Sequence, residues 1–343
     1  IRNDMPIDND YFKNRQNNIL FCLLVSIFTL IILSLGIGYS SVSFDRLIPT
    51  LLGNGTFKET FVIFSIRFPK IIILILTGAA LSLSGAILQT ITKNDLADPG
   101  IIGINSGAGV AITILFLFIP VNSQSFIYIL PLIAFLGALV TALLIYLFSY
   151  EKHYGINPQK MLLVGIGFSM ALSGLMILLV TSSERSKLEF ITKWLNGSIW
   201  GNDWSFVWAI LPWIIILIPY SIYKSNCLNI LTLKKETAIS LGINLNKERT
   251  ILFLIAISLA SISVAVTGAL AFIGLIAPHL AKILTSSRAQ SYIPVTILIG
   301  ILLLLTSDFI GRNILKPQGI PTGIILSIIG APYFIYLIYK NNI

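Results

Sequence analysis

Few side chains in this sequence have the types and spacing that catalysis or metal binding requires. The histidines His153 and His279 have no carboxylate or cysteine partner at metal-ligand spacing, and no zinc-type pattern surrounds Cys22 or Cys227. The sequence contains no GxxxxGK[ST] phosphate loop, no HExxH zinc motif and no GxSxG nucleophile elbow. We therefore expect a chain that is not an enzyme and has no cofactor or metal, so that energy for any work it does comes from a partner.

One acid interrupts the longest apolar runs. Asp308 lies in a predicted span, and Arg312 follows four residues later on the same helix face, so the two are expected to form a local ion pair. A proton- or sodium-coupled carrier would need buried ionisable groups near mid-membrane. An ion-coupled secondary transporter, an intramembrane enzyme and an export permease remain as alternatives.

The composition of the chain indicates that Asp308 and Arg312 lie in a membrane protein. Of 343 residues, 56% are hydrophobic and 11% are charged, whereas soluble domains carry about 25% charged residues. Runs of about 20 apolar residues predict an all-α, polytopic membrane protein with about ten transmembrane helices. The predicted spans are 19–39, 68–91, 99–119, 125–149, 160–181, 205–224, 250–268, 269–286, 292–312 and 321–340.

These spans define the domain organisation. Residues 1–18 are predicted to be a cytoplasmic N-terminal segment, and 19–340 a single permease domain. More lysine and arginine residues fall on the side that holds both termini, which favours a cytoplasmic N-terminus and C-terminus in the inner membrane. The cations are not clustered, so we expect no nucleic-acid partner. Pro278 is expected to kink or break its helix.

Two patterns predict how the helices pack. Small residues recur every four positions at Gly78, Ser82 and Ala86, and such a face allows close helix contact in lipid. The stretches 67–86 and 249–268 each begin with an arginine and end in small residues, which is weakly similar to an inverted repeat.

Several strings are similar to the motifs of one transporter family. RFPK at 67–70, SGAILQ at 84–89, NDLADP at 94–99 and GALAFIGLIAPH at 268–279 follow one another in the family's order. The chain thus resembles the iron-chelate and cobalamin (FecCD-type) ABC importer permeases from about Arg67 to Phe334. The family-motif positions are Gln89, Asn94, Pro99, Gly103, Gly107, Gly274, Pro278, His279, Asp308, Pro321 and Gly323. Asp95, Lys282 and Gln318 depart from that pattern, which usually has Pro, Arg and Glu there.

The resemblance implies a type II ABC importer permease architecture. Its partners would be two ATP-binding subunits, a second permease subunit of the same or a sister chain, an extracytoplasmic substrate-binding (lipo)protein and membrane lipid. It also implies that Arg67 and Arg312 dock the binding protein. The alternatives are that either arginine binds lipid headgroups, or that Arg312 pairs only with Asp308. An arginine's planar guanidinium suits bidentate pairing with a carboxylate.

The basic break 225–249 has a helical pattern of its own and resembles the family's ATPase-coupling segment. The residues implied in coupling are Leu233, Lys234, Lys235, Glu236, Ala238, Leu241 and Gly242.

The fifth span resembles the pathway-lining helix, with Gly165, Gly167, Ser169, Met170 and Ser173 as its small, weakly polar face. The residue sequence at 98–105 is most similar to that of ferric hydroxamate permeases. Haem, catecholate siderophores and cobalamin remain as alternative substrates.

Overall fold

The structure, a computed structural model, describes residues 9–38, 42–100, 102–118, 126–151, 155–181, 185–197, 203–315 and 319–341. The helices of the first half are α1 Asn9–Gly36, α2 Phe44–Leu51, α3 Phe57–Thr60, a π-helix Phe61–Arg67, α4 Phe68–Thr92, α5 Ile104–Phe118, α6 Phe126–Ser149, α7 Pro158–Thr181 and α8 Arg185–Leu195. Those of the second half are α9 Trp204–Tyr223, α10 Ser225–Thr232, α11 Lys235–Ser240, α12 Leu245–Thr267, α13 Ile273–Leu284, α14 Ala289–Ile314 and α15 Thr322–Asn341. The strands Tyr150–Glu151 (β1) and Gly155–Ile156 (β2) pair antiparallel between α6 and α7.

The prediction of an all-α membrane protein with about ten spans is confirmed. Within the described residues, eight helices are long and apolar enough to cross a membrane, and two shorter apolar helices, α5 and α13, complete the set. Three predicted helix starts differ from the structure. α1 begins inside the predicted N-terminal segment, and both short helices start later than 99 and 269 because a non-helical stretch precedes each.

The predicted spans alternate in direction, and contacts between helix ends agree with that order. One end of the bundle, called here the inner end, joins α6 to α12 through Tyr146 and Thr250 at 3.2 Å and holds α10 and α11. The opposite, outer end joins α9 to the π-helix, where Trp204 Nε1 donates to the Phe64 carbonyl at 2.9 Å. The sequence predicts that the inner end is cytoplasmic.

Helices α4 and α12 form the centre of the bundle. In their most apolar stretches 83% and 78% of residues are buried, against 11% in α7. The hydroxyl of Ser84 donates to the Ala256 carbonyl at 2.6 Å, which links the two helices at mid-length. Each is followed by a non-helical stretch and then a short apolar helix, an order that fits the weak repeat in the sequence.

Small residues allow these helices to touch backbone to backbone, as the sequence predicts. A Cβ added at Gly78 would lie 2.8 Å from the Gly300 carbonyl of α14, and one added at Gly85 would overlap the backbone of Gly274 in α13. The small face of α4 is therefore a helix-packing surface rather than a ligand site.

Candidate functional site

The outer end holds an ion cluster that ties three helices together. Asp308 of α14 is 1% exposed, and its carboxylate lies 2.8 Å from Lys70 Nζ of α4 and 2.7 Å from Arg312 Nε. The hydroxyl of Thr322, at the start of α15, donates to it at 3.3 Å. The predicted pair of Asp308 and Arg312 is confirmed. Lys70 was missed, although an apolar helix with one acid needs a nearby cation to keep that acid charged.

Arg67 lies at the outer end and turns into the chain. Its side chain is 5% exposed, and Nη1 donates to the Leu35 carbonyl near the end of α1. The guanidinium stabilises a helix end in this conformation, and its docking role stays a prediction. Arg312, whose side chain is 23% exposed, is the candidate that stays at the outer surface.

Three family-motif residues at the inner end, Gln89, Gly274 and Pro278, are linked by a hydrogen bond between α4 and α13. Pro278 lies inside α13 and has no N–H, so the carbonyl four residues earlier, at Gly274, lacks its helical donor. The side-chain amide of Gln89 donates to that carbonyl at 3.3 Å and to Leu275 at 3.2 Å. Of the two expected effects of Pro278, a break is wrong, since α13 continues to Leu284 with its free carbonyl satisfied by α4, and a kink stays a prediction.

Two of the residues that depart from the family pattern contact each other. Lys282 Nζ lies 2.7 Å from Asp95 Oδ1 and donates to Gln89 Oε1 at 3.2 Å. The pair thus joins the stretch after α4 to the last turn of α13. Nearby, His279 Nδ1 and the Tyr333 hydroxyl are 2.5 Å apart, which links α13 to α15. Gln318, the third such position, and His153 lie outside the described residues.

The stretch between α4 and α5 turns back into the bundle. Asn94 begins it, with its side-chain oxygen accepting from Leu96 N at 2.9 Å. Pro99 packs against Gly274, and Gly103 has a φ of 90°, which favours glycine. Gly107 contacts α6 at Thr141. These motif residues shape the entry to α5 rather than expose polar groups for chemistry.

The remaining motif residues lie where α15 begins. The Pro321 carbonyl accepts from Ile324 N at 3.0 Å in the first turn of the helix, and Gly323 packs on the backbone of Asn196 and Gly197. Both residues therefore set the start of α15 beside the Asp308 cluster.

The predicted coupling region 225–249 folds as α10, α11 and the start of α12. Leu233 and Leu241 are 40% and 57% exposed, and Lys234, Lys235, Glu236 and Gly242 are also exposed. The prediction for Ala238 is corrected, because it is 1% exposed and packs inside the chain. Ile239, which is 54% exposed and was missed, stands beside it on the open face of α11. Below, the coupling surface means Leu233, Ile239 and Leu241.

The five pathway residues predicted on α7 divide between two faces. Gly165 is buried against Ile102, and Ser169 and Ser173 lie 3.1 and 3.4 Å from the Ser106 hydroxyl of α5. These three residues pack the helix onto its neighbour. Only Gly167 and Met170 lie on the open face, where Met170 is 73% exposed.

The described residues show no group of three or more His, Cys, Asp or Glu side chains that could hold a metal ion. Cys22 is exposed and Cys227 is buried, and both are free thiols. Burial and the carboxylate of Glu248 raise the pKa of the Cys227 thiol to about 11, so it is protonated and unreactive at neutral pH.

Comparisons with known proteins agree with this arrangement. The model of the FecCD transport family matches residues 23–340. The iron(3+)-hydroxamate import system permease protein FhuG of Bacillus subtilis is 40% identical over 96% of this chain and 100% of its own length. A probable heme-iron transport system permease protein, IsdF of Staphylococcus aureus, is 35% identical over 96% of this chain and 98% of its own.

A solved structure described as an inward-facing conformation of a metal-chelate type ABC transporter superposes with a TM-score of 0.80. It is 30% identical to this chain and covers 95% of it and 99% of its own length. The family model, the full-length relatives and the shared fold lead to one conclusion: the chain belongs to the FecCD transport family.

Proposed function

We propose that this chain is the permease subunit of an ABC importer that moves a ferric hydroxamate complex across the cytoplasmic membrane. The observation that carries the substrate class is the 40% identity to a hydroxamate import permease over that protein's whole length. The apolar and largely exposed face of α7 supports passage of cargo rather than its tight binding. Haem is the second candidate, because a haem-iron permease relative also covers nearly the whole chain.

The partners follow from the same proposal. Two ATP-binding subunits would bind at the inner end, a substrate-binding protein would dock at the outer end near Arg312, and a second permease subunit would complete the pathway. The exposed apolar face of α7 supports a position against the pathway or the second subunit. Both termini would be cytoplasmic.

Uptake into proteoliposomes tests the substrate. The chain is reconstituted with its ATP-binding subunits, its second permease subunit and its substrate-binding protein, and iron-loaded hydroxamate, catecholate, haem and cobalamin are supplied in turn. We expect uptake of the ferric hydroxamate only, and only when ATP is present inside with the ATP-binding subunits. Uptake of haem alone would replace the hydroxamate assignment. Uptake that follows a proton gradient without ATP would remove the ABC assignment.

The coupling surface should decide whether the ATP-binding subunit binds. Leu241→Asp combined with Ile239→Asp is expected to weaken that binding at least about tenfold, since charges in the apolar centre of an interface remove its main contacts. Co-purification and equilibrium binding in detergent measure the effect. Phe57→Asp is the control, because Phe57 is 88% exposed at the outer end. Equal binding by the double variant and this control would show that the surface lies elsewhere.

A further inference from the structure

A lysine ties the inner end of α4 to the segment that carries the coupling surface. α4 ends at Thr92, and Lys93 follows with a φ of 52°, which turns the chain out of the helix. Lys93 Nζ donates to the Leu233 carbonyl at 2.6 Å and lies 3.4 Å from the Thr232 carbonyl. Carbonyls at a helix C-terminus have no intrahelical donor, so the lysine stabilises the junction of α10 and α11.

Both apolar packing and directed hydrogen bonds hold α10 in place. The Asn229 side chain donates to Gln290 Oε1 at 2.8 Å and accepts from Ala289 N at 2.7 Å, both in α14. Leu228 and Leu231 of α10 are each 1% exposed and supply apolar contact, which is non-directional and allows surfaces to slide. A charged hydrogen bond to a backbone carbonyl has a fixed distance and direction. Movement of the α10–α11 junction is therefore passed to the end of α4 through the directed contact at Lys93, in parallel with the hydrogen bonds from α10 to α14.

Helix α4 is in turn attached to three helices of the second half, α12, α13 and α14. Besides the links from Ser84 to α12 and from Gln89 to α13, the Thr90 hydroxyl lies 3.3 Å from that of Tyr292 in α14. At its other end Lys70 joins the Asp308 cluster. One continuous helix thus carries a cation contact at each end, separated by about 35 Å at ~1.5 Å per residue.

We propose that Lys93 is a positioning residue that couples the ATP-binding subunits to the pathway, with α4 as the rigid element between the inner and outer ends. The inference rests on the proposed function. It assigns to Lys93 the transmission of motion and no contact with substrate or ATP.

The ratio of substrate moved to ATP hydrolysed tests the proposal in the proteoliposomes described above. For Lys93→Met we expect this ratio to fall about tenfold, since the variant loses the charge-assisted hydrogen bond that joins α4 to the Leu233 carbonyl. Lys93→Arg keeps a cationic donor and is expected to stay within about twofold of wild type on the same ground. Lys160→Met, at an exposed position at the start of α7, is the matched control and should leave the ratio unchanged.

A second readout makes the result independent of the substrate. In detergent, the stimulation of ATP hydrolysis by the substrate-binding protein should be lost in Lys93→Met and kept in Lys93→Arg and Lys160→Met. If wild-type vesicles take up no chelate, the proposed function fails, and the stimulation assay still decides the role of Lys93. Wild-type ratios and stimulation in Lys93→Met would overturn the proposal, as would a loss of assembly that Lys93→Arg does not rescue.

Discussion

Replacing Asp308 with alanine is expected to lower the apparent unfolding temperature of the purified chain in detergent. The change leaves Lys70 and Arg312, whose side chains are 18% and 23% exposed, without the carboxylate between them. Removing one partner of a buried ion pair costs about 3 kcal/mol or more, because the remaining charge stays buried and unpaired. For a chain of this length that cost corresponds to about 4 °C. Thermal unfolding followed by tryptophan fluorescence or light scattering measures it.

The matched control is Asp45→Ala, because Asp45 is exposed on α2 at the same end of the bundle. It should unfold at the wild-type temperature. Apolar replacement of the whole set, Asp308→Leu with Lys70→Met and Arg312→Met, is expected to recover most of the loss, since no buried charge then lacks a partner. An Asp308→Ala chain as stable as Asp45→Ala would show that the cluster contributes nothing to the fold.

Local spacing was enough to predict one half of this cluster. Asp308 and Arg312 are one helical turn apart, and the i and i+4 rule places their side chains on the same face. Lys70 lies far away in the sequence, and nothing local to it indicates an acid. Contacts of that kind depend on how helices assemble, which is set by backbone approach at positions such as Gly78 and Gly300.

The direction in which a side chain points was harder to predict than the end of the bundle at which it lies. Arg67 lies at the outer end as predicted, but its side chain turns inward and donates to the Leu35 carbonyl in the last turn of α1. Ala238 has the helical position of an exposed residue in a short amphipathic pattern, yet it packs inside. Both depend on neighbours that come from elsewhere in the chain.

Pro278 shows how a local rule can be satisfied without the helix break that it predicts. A proline removes the N–H that would bond the carbonyl four residues earlier, and this cost normally ends or kinks a helix. Here Gln89 of α4 supplies the missing donor, so α13 runs on to Leu284. Gln89, Gly274 and Pro278 thus act together, although the sequence marks them only as separate motif positions.

Gly85→Ala is expected to impair folding at the contact between α4 and α13. A Cβ at this position would overlap the backbone of Gly274, and a backbone cannot move aside as a flexible side chain can. Helices α4 and α13 would have to separate, which would also lengthen the hydrogen bonds from Gln89 to α13. Overpacking a tight contact costs up to about 3 kcal/mol and occasionally more. The measurements are the yield of monodisperse protein in detergent and its unfolding temperature.

Gly167→Ala is the matched control, because it makes the same change in a transmembrane helix. Gly167 lies on the open face of α7 with no atom within 4 Å of an added Cβ, so alanine should be neutral or stabilise the helix by up to about 1 kcal/mol. The difference between the two variants then measures the contact itself rather than the helix propensity of glycine. If Gly85→Ala matched Gly167→Ala in yield and stability, α4 and α13 would not meet at these two backbones.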